Sequence, residues 1–156
     1  MDPTEITAYL RNFPNEIEAL VGRLSYDQLR ARPSDDAWSI IELLCHLRDS
    51  AQEDGIRIRR LVEEDNPTLV PFDQEEWARD RRYHDADPRK ALTALRAYWT
   101  GLAYYIESIP ADAWQRSGLH PEFGPLTTAT QAQQTLDHAV EHLAQIRGVV
   151  EAVTPT

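Results

Sequence analysis

The segment Trp38-Ser-Ile-Ile-Glu-Leu-Leu-Cys-His-Leu-Arg-Asp49 sets the interpretation of this 156-residue chain. Ser39 followed by Glu42 forms a capping box, which predicts that a helix begins directly after Ser39. Apolar residues then recur at steps of three and four positions as far as Val62. This spacing predicts a long amphipathic helix. His46 falls beside the apolar stripe of that helix rather than within it.

Three further long helices are predicted from the same signals. Asp2 and Pro3 are typical of a helix N-terminus, and Pro14 is expected to kink or break the helix that they begin. Asp87 and Pro88 form a second N-terminus of this kind, and the helix after them carries the clearest amphipathic pattern in the chain. The last helix is predicted to run from about residue 128 to about residue 153.

The segments that connect these helices are rich in proline and glycine. Residues 66–72 and 117–126 are therefore expected to be loops, and short helical turns are predicted near residue 25 and over residues 74–79. The sequence shows no strand pattern and no internal repeat. We predict an all-α fold in which residues 1–156 form a single four-helix bundle domain with long crossover connections, an architecture that often holds metals between facing helices.

Composition excludes several classes of function. The chain has 16 Lys and Arg residues against 26 Asp and Glu residues, a net charge of −10, so its field repels nucleic-acid phosphates and argues against nucleic-acid binding. Its single cysteine, Cys45, excludes an intrachain disulfide and suits a reducing compartment. Neither a signal peptide nor an apolar stretch of membrane-spanning length is visible. We therefore expect a cytoplasmic protein without membrane association.

Two further histidines, His138 and His142, are four residues apart in the last helix. This spacing places both on one side of a helix, with about 5–6 Å between their Cβ atoms. His46 on a facing helix would complete a three-histidine metal site, which leaves one coordination position open for water or substrate. The alternative is that each histidine is an ordinary residue at the edge of the core.

Three polar residues are weaker candidates for substrate binding. Glu53 and Arg57 share the helix face of His46, where they would accept a proton or hold an anionic substrate, although an ordinary surface ion pair between them is the simpler explanation. Gln145 shares the face of His138 and His142.

Other residues near the histidines have ordinary interpretations beside functional ones. Asp49 and Glu141 would orient an imidazole ring, or they are solvated acids. Cys45 is expected to be a small buried hydrophobic residue rather than a metal ligand. His84 and His120 lie in expected loops and are predicted to be surface residues.

The pattern of these motifs resembles the DinB/YfiT-like superfamily of metal-binding four-helix bundles. The resemblance is carried by Trp38-Ser-x-x-Glu-x-x-x-His46-Leu-x-Asp-x-x-x-Glu-x-x-x-Arg57, by Pro71-Phe-Asp-x-Glu-x-Trp-Ala78, and by His138-x-x-x-His142-x-x-Gln-Ile146. It implies that His46, His138 and His142 bind a divalent metal ion, zinc or nickel in the usual case. Some relatives replace one of these histidines with Glu, which this chain does not.

The resemblance also suggests a reaction. Characterised relatives include thiol S-transferases that use bacillithiol, mycothiol or glutathione, and a mycothiol-dependent maleylpyruvate isomerase. It therefore implies a metal-dependent enzyme with a small-molecule substrate, and a low-molecular-weight-thiol S-transferase is the preferred hypothesis. A metal-dependent hydrolase and a non-catalytic, metal-binding stress-response protein, which would form a homodimer through apolar helix faces, remain the alternatives.

Overall fold

The computed structural model describes residues 2–155, which form six α-helices, two short 3₁₀ helices and one β-hairpin. In chain order the elements are α1 (Pro3–Val21), α2 (Tyr26–Arg30), α3 (Ile40–Glu63), α4 (Gln74–Asp80), 3₁₀ turns at Tyr83–Asp85 and Ala111–Ala113 on either side of α5 (Pro88–Glu107), β1 (Ser117–His120), β2 (Gly124–Thr127) and α6 (Thr128–Val153). No helix among these residues has both the length and the apolar character needed to cross a membrane.

The long helices α1, α3, α5 and α6 form the predicted four-helix bundle. Helix α3 packs against α5 and α6, and α1 packs against the same two helices. Consequently α1 and α3, which follow one another among the long helices, occupy diagonal positions, as do α5 and α6. Both diagonal pairs are joined by long connections, so the predicted crossovers are confirmed.

Local capping signals place the helix ends where the sequence predicts them. The Asp2 side chain accepts a hydrogen bond from the Thr4 backbone N–H, and Ser39 and Glu42 form the reciprocal capping box at the start of α3. Thr127 caps α6 through a hydrogen bond from the backbone N–H of Thr130 at 3.1 Å. Each of these side chains satisfies backbone donors that have no partner within the helix.

Pro14 does not break α1, because the helix is continuous from Pro3 to Val21. Proline removes the hydrogen bond that its own N–H would donate. Here Pro14 is buried in a helix that packs along both α5 and α6. Burial of this amphipathic helix therefore compensates for the missing backbone hydrogen bond.

The expectation that residues 117–126 form a plain loop is wrong. Strands β1 and β2 pair in antiparallel register, and Gly124 takes a positive φ of 76° at the start of β2. Leu119 also exchanges backbone hydrogen bonds with Pro67 and Leu69, both at 2.8 Å, so the segment 66–72 lies along β1. A Cβ atom on Gly118 would lie 2.7 Å from the Pro67 carbonyl oxygen. The glycine that suggests a loop therefore permits a close approach between two backbones.

Trp99 shows how the bundle is held together. It is fully buried on α5, lies edge-on to Phe13 of α1 with 4.8 Å between ring centroids, and donates a hydrogen bond from Nε1 to the Leu47 carbonyl oxygen of α3 at 3.0 Å. One side chain of α5 thus contacts two of the other three long helices.

We predict that Trp99→Ala lowers the free energy of unfolding by about 3–5 kcal/mol, because it leaves a large cavity at this junction. Tyr98→Ala, at a neighbouring position where the side chain is 39 % exposed, serves as the control and should cost less than about 1 kcal/mol. Urea unfolding followed by circular dichroism measures both values. A cost below about 1 kcal/mol for Trp99→Ala would contradict this account of the core.

Candidate metal centre

The three predicted histidines converge at the interface between α3 and α6. The Nε2 atom of His46 lies 3.2 Å from that of His138 and 3.1 Å from that of His142, and the latter two atoms are 2.7 Å apart. His46 is 1 % exposed and His142 is 8 % exposed. The three ring nitrogens therefore meet in a site that is largely shielded from solvent.

These distances fit the first coordination shell of a divalent ion. Tetrahedral Zn²⁺ with bonds of 2.0–2.1 Å to imidazole nitrogen separates its ligand atoms by about 3.3 Å. The two distances from His46 are close to this value, and the 2.7 Å between His138 and His142 is shorter. Among residues 2–155, it is the only group of three or more His, Cys, Asp or Glu residues placed to share an ion. Three imidazoles leave a fourth tetrahedral position for a ligand from outside the protein.

Gln145 determines which nitrogen of His142 is available. Its Oε1 atom lies 2.8 Å from Nδ1 of His142, and an amide oxygen only accepts hydrogen bonds. The proton of the neutral ring therefore resides on Nδ1, and Nε2 presents its lone pair to the cluster. Gln145 thus contacts the ring edge opposite to the cluster, and metal-ligating histidines commonly have an outer partner of this kind.

Burial keeps the cluster in its neutral form. Removal from water lowers the pKa of His46 to about 2 and that of His138 to about 4, and the neighbouring imidazoles contribute further to both shifts. The pKa of His142 also lies below its ordinary value, again chiefly because of burial. Neutral imidazole is the form that binds metal ions, so no proton has to be removed at pH 7.

A cavity of about 360 Å³ borders His46 and His138. Its wall includes Ser50 and Asp54, which follow His46 along α3 at steps of four residues, and two aromatic side chains from the connecting segments, Phe72 and Phe123. Ser50 Oγ lies 3.3 Å from Nε2 of His46. This volume lies at the small end of the range for small-molecule sites.

The weak substrate-binding candidates occupy different places. Arg57 lines the cavity with a side chain that is only 12 % exposed. Glu53 is partly buried one residue before Asp54 but does not line the cavity. Asp54 was not singled out in the sequence, although its carboxyl group is buried in the wall and burial raises its pKa to about 6. The four-residue spacing of His46, Ser50 and Asp54, which places all three on one face of a helix, was the sequence signal that could have identified Asp54.

The prediction that His120 is a surface residue is wrong. It is 2 % exposed, lines the same cavity and stacks on Phe123 with 4.3 Å between ring centroids, rather than lying at the surface. The error follows from the interpretation of residues 117–126 as a loop. His84, by contrast, is partly exposed and lies 3.3 Å from the Glu42 carboxylate, away from the histidine cluster.

The remaining residues near the cluster have structural roles. Asp49 does not orient His46, since its carboxylate accepts hydrogen bonds from Arg48 at 2.8 Å, from Arg81 at 3.0 Å and from the Tyr83 hydroxyl. Glu141 is exposed. Cys45 is buried as expected, and burial raises its pKa to about 11, which makes a thiolate unfavourable.

Comparison with known proteins identifies relatives across nearly the whole chain. The sequence pattern of the DinB superfamily matches residues 9–146. A Bacillus mycoides protein named "Putative metal-dependent hydrolase" is 28 % identical over 144 residues, which cover 91 % of this chain and 82 % of that protein. YfiT from Bacillus subtilis, which carries the same description, is 25 % identical over 141 residues, covering 88 % of this chain and 78 % of YfiT.

Two solved structures have the same fold. The B. subtilis YfiT structure, described as "a probable metal-dependent hydrolase with an unusual four-helix bundle topology", superposes with a TM-score of 0.88 at 21 % identity and covers 96 % of this chain and 86 % of YfiT. A mycothiol-dependent maleylpyruvate isomerase superposes with a TM-score of 0.74 at 11 % identity. This chain is covered to 94 % in that comparison but spans only 61 % of the isomerase chain.

Burial of neutral imidazoles predicts an acid-sensitive fold when metal is absent. The unfolded chain takes up a proton on each histidine near pH 6.5, whereas the folded protein protonates His138 only near pH 4 and His46 only near pH 2. Below about pH 6.5 the unfolded state therefore binds more protons, and the free energy of unfolding falls by up to about 1.4 kcal/mol per pH unit for each such histidine.

Urea unfolding of the metal-free protein between about pH 4.5 and 7 measures this dependence. His138→Gln removes one of the buried imidazoles, so the free energy of unfolding of this variant should fall less steeply with decreasing pH than that of the parent. The two slopes should differ by at most about 1.4 kcal/mol per pH unit. Equal slopes for the parent and His138→Gln would contradict the prediction.

Proposed function

Since this chain belongs to the DinB superfamily, we propose that it is a metal-dependent enzyme whose His46, His138 and His142 bind one divalent ion, zinc or nickel. The observation that supports the proposal most directly is the convergence of three neutral Nε2 atoms beside a cavity. A divalent ion in such a site lowers the pKa of a thiol or water bound to it and so supplies a nucleophile at neutral pH.

The protein side of this chemistry is preorganised. Gln145 fixes the tautomer of His142, and burial keeps all three imidazoles in the form that binds metal. His46 and His138 both border the cavity, so a small substrate that enters it reaches the open side of the cluster. The chemistry would take place between α3 and α6, whose packing holds the ligands in place.

Transfer of a low-molecular-weight thiol is the reaction that we place first. Within residues 2–155, the side chains in hydrogen-bond or ring contact with the three imidazoles are Trp38, Ser50 and Gln145, none of which is a carboxylate. A thiol needs less help from a neighbouring base than water does, because its ordinary pKa of about 8.5 is far below that of water. The fold shared with a mycothiol-dependent isomerase supports the same choice.

Hydrolysis is the second candidate, and the names of the sequence relatives favour it. Asp54 is the cavity carboxylate best suited to act as a general base, since burial raises its pKa to about 6. Glu53 is less suited because it does not line the cavity. Asp54 follows His46 by eight residues, about 12 Å along the helix axis, so its action would require an intervening water or substrate group.

We predict that protein purified without a histidine tag contains about one equivalent of divalent metal. His142→Ala should abolish binding and leave the helical circular dichroism spectrum intact, because a domain of this size buries its core without an ion. Gln145→Leu should retain the site but weaken metal affinity by about 10–100-fold. Metal analysis and competition with a chelator measure these effects.

Two results would refute the metal site. Less than about a tenth of an equivalent of metal in the parent protein, with no binding when zinc or nickel is added, removes the proposed ion. Equal metal affinity in the parent and His142→Ala shows that the ion lies elsewhere.

The reaction is tested with an electrophile, monochlorobimane, and four thiols: bacillithiol, mycothiol, glutathione and coenzyme A. We expect metal-dependent turnover with at least one of these thiols. His142→Ala should abolish this turnover, and Asp54→Asn should change its rate by less than about threefold. Turnover of ester substrates without thiol, lowered by about 10²–10⁴-fold in Asp54→Asn, would instead establish the hydrolase. No metal-dependent turnover in either assay would favour the non-catalytic metal-binding protein.

A further inference from the structure

Two buried donor atoms in the cavity wall lack a hydrogen-bond partner. Among the buried side-chain nitrogen and oxygen atoms of residues 2–155, only Arg57 Nε and His120 Nε2 have none. Both residues line the cavity that borders the histidine cluster. Buried polar groups are nearly always paired in folded proteins, so two donors in one cavity wall without a partner in the chain require an acceptor from outside it, either water or a ligand.

The hydrogen bonds of His120 show that Nε2 is a donor. Its Nδ1 atom accepts hydrogen bonds from the backbone N–H groups of Glu122 at 3.1 Å and Phe123 at 3.2 Å. Nδ1 therefore carries no proton, and the proton of the neutral ring resides on Nε2, at the edge turned away from the hairpin turn. Burial, followed by the nearby charge of Arg57, lowers the pKa of His120, which is consistent with the neutral ring.

Arg57 is held in place by three neighbours without using Nε. Its Nη2 atom donates to the Val70 carbonyl oxygen at 3.2 Å, its guanidinium lies 5.4 Å from the centroid of the Phe72 ring, and Nη1 is 4.0 Å from the Asp54 carboxylate. The last distance is too long for a hydrogen bond. Asp54 therefore balances part of the charge of Arg57, while Nε has no hydrogen-bond partner within the described part of the chain.

We propose that Arg57 and His120 form a subsite for the carboxylate group of a small substrate. A carboxylate matches a site with one cation and one neutral donor, because Asp54 and Glu122, which also line the cavity, would repel a doubly charged phosphate about twice as strongly as a singly charged carboxylate. Phe72 and Phe123 supply apolar walls for the rest of the molecule. The substrate class is therefore a small carboxylic acid with an apolar or aromatic body. Its reaction at the histidine cluster rests on the proposed function, whereas its binding does not.

The test uses the full chain, metal-free and with one equivalent of zinc, and compares benzoate with its uncharged isostere benzamide and with phenyl phosphate. Titration calorimetry of the metal-free protein should show benzoate binding at least about tenfold more tightly than either of the others. Benzoate affinity that does not exceed benzamide affinity overturns the proposal. Tighter binding of phenyl phosphate also overturns it, since the subsite then serves phosphate.

Matched variants assign the binding to the two residues. Arg57→Met keeps the length of the side chain without charge or donors, and His120→Asn keeps an acceptor for the hairpin turn but removes the Nε2 donor. Each should weaken benzoate binding by about tenfold or more, whereas Arg59→Met, an exposed arginine on the same helix, should change it by less than about twofold. Unchanged benzoate affinity in Arg57→Met and His120→Asn overturns the proposal.

A measurement on the parent protein covers the case in which a variant fails to fold. The ring ¹⁵N resonances of His120 should shift on addition of benzoate and not of benzamide, and the absence of a shift overturns the proposal. The two hypotheses fail separately. If the protein has no zinc affinity but binds benzoate through Arg57 and His120, only the proposed function is refuted. If it binds zinc but not benzoate, only the carboxylate subsite is refuted.

Discussion

The packing of α3 against α6 is the constraint on which the rest of the site depends. His46 comes from one helix and the pair His138 and His142 from the other, and the Nε2 atom of His46 approaches those of the pair to 3.2 Å and 3.1 Å only because these two helices are neighbours. Close packing also removes the imidazoles from water, which keeps them neutral. The packing of α3 against α6 therefore both brings the imidazoles of the two helices together and keeps them unprotonated.

The N-terminus of α3 is held in place by buried hydrogen bonds. Ser39 and Glu42 are both buried, and the Glu42 carboxylate accepts hydrogen bonds from Ser39 and from Arg32 at 2.8 Å and 3.1 Å. Burial alone would raise the pKa of Glu42, but these hydrogen bonds outweigh it and the pKa lies below its ordinary value. Seven residues after Glu42, about two turns along the helix, the Asp49 carboxylate accepts hydrogen bonds from Tyr83 and Arg81. The ligand-bearing turn is thus fixed from both ends.

The cavity beside the cluster is built from parts of the chain that are distant in sequence. Asp54 and Arg57 belong to α3, whereas His120 belongs to β1 and Phe72 to the segment before α4. The hairpin is held against that segment by backbone hydrogen bonds between Leu119 and residues 67 and 69. Such bonds involve no characteristic side chain, so neither motif nor periodicity predicts them. This explains why the cluster was predicted and much of its surrounding wall was not.

The sequence by itself determined the helices and the shared face of His138 and His142, because capping boxes and the 3.6-residue period are local properties of the chain. It also indicated the pairing with His46, through a resemblance rather than through geometry. Only the tertiary structure decided that α1 and α3 lie diagonally, that α1 continues through Pro14, and that His120 and Asp54 enter the cavity. These features depend on burial and on contacts between distant segments, which local spacing does not encode.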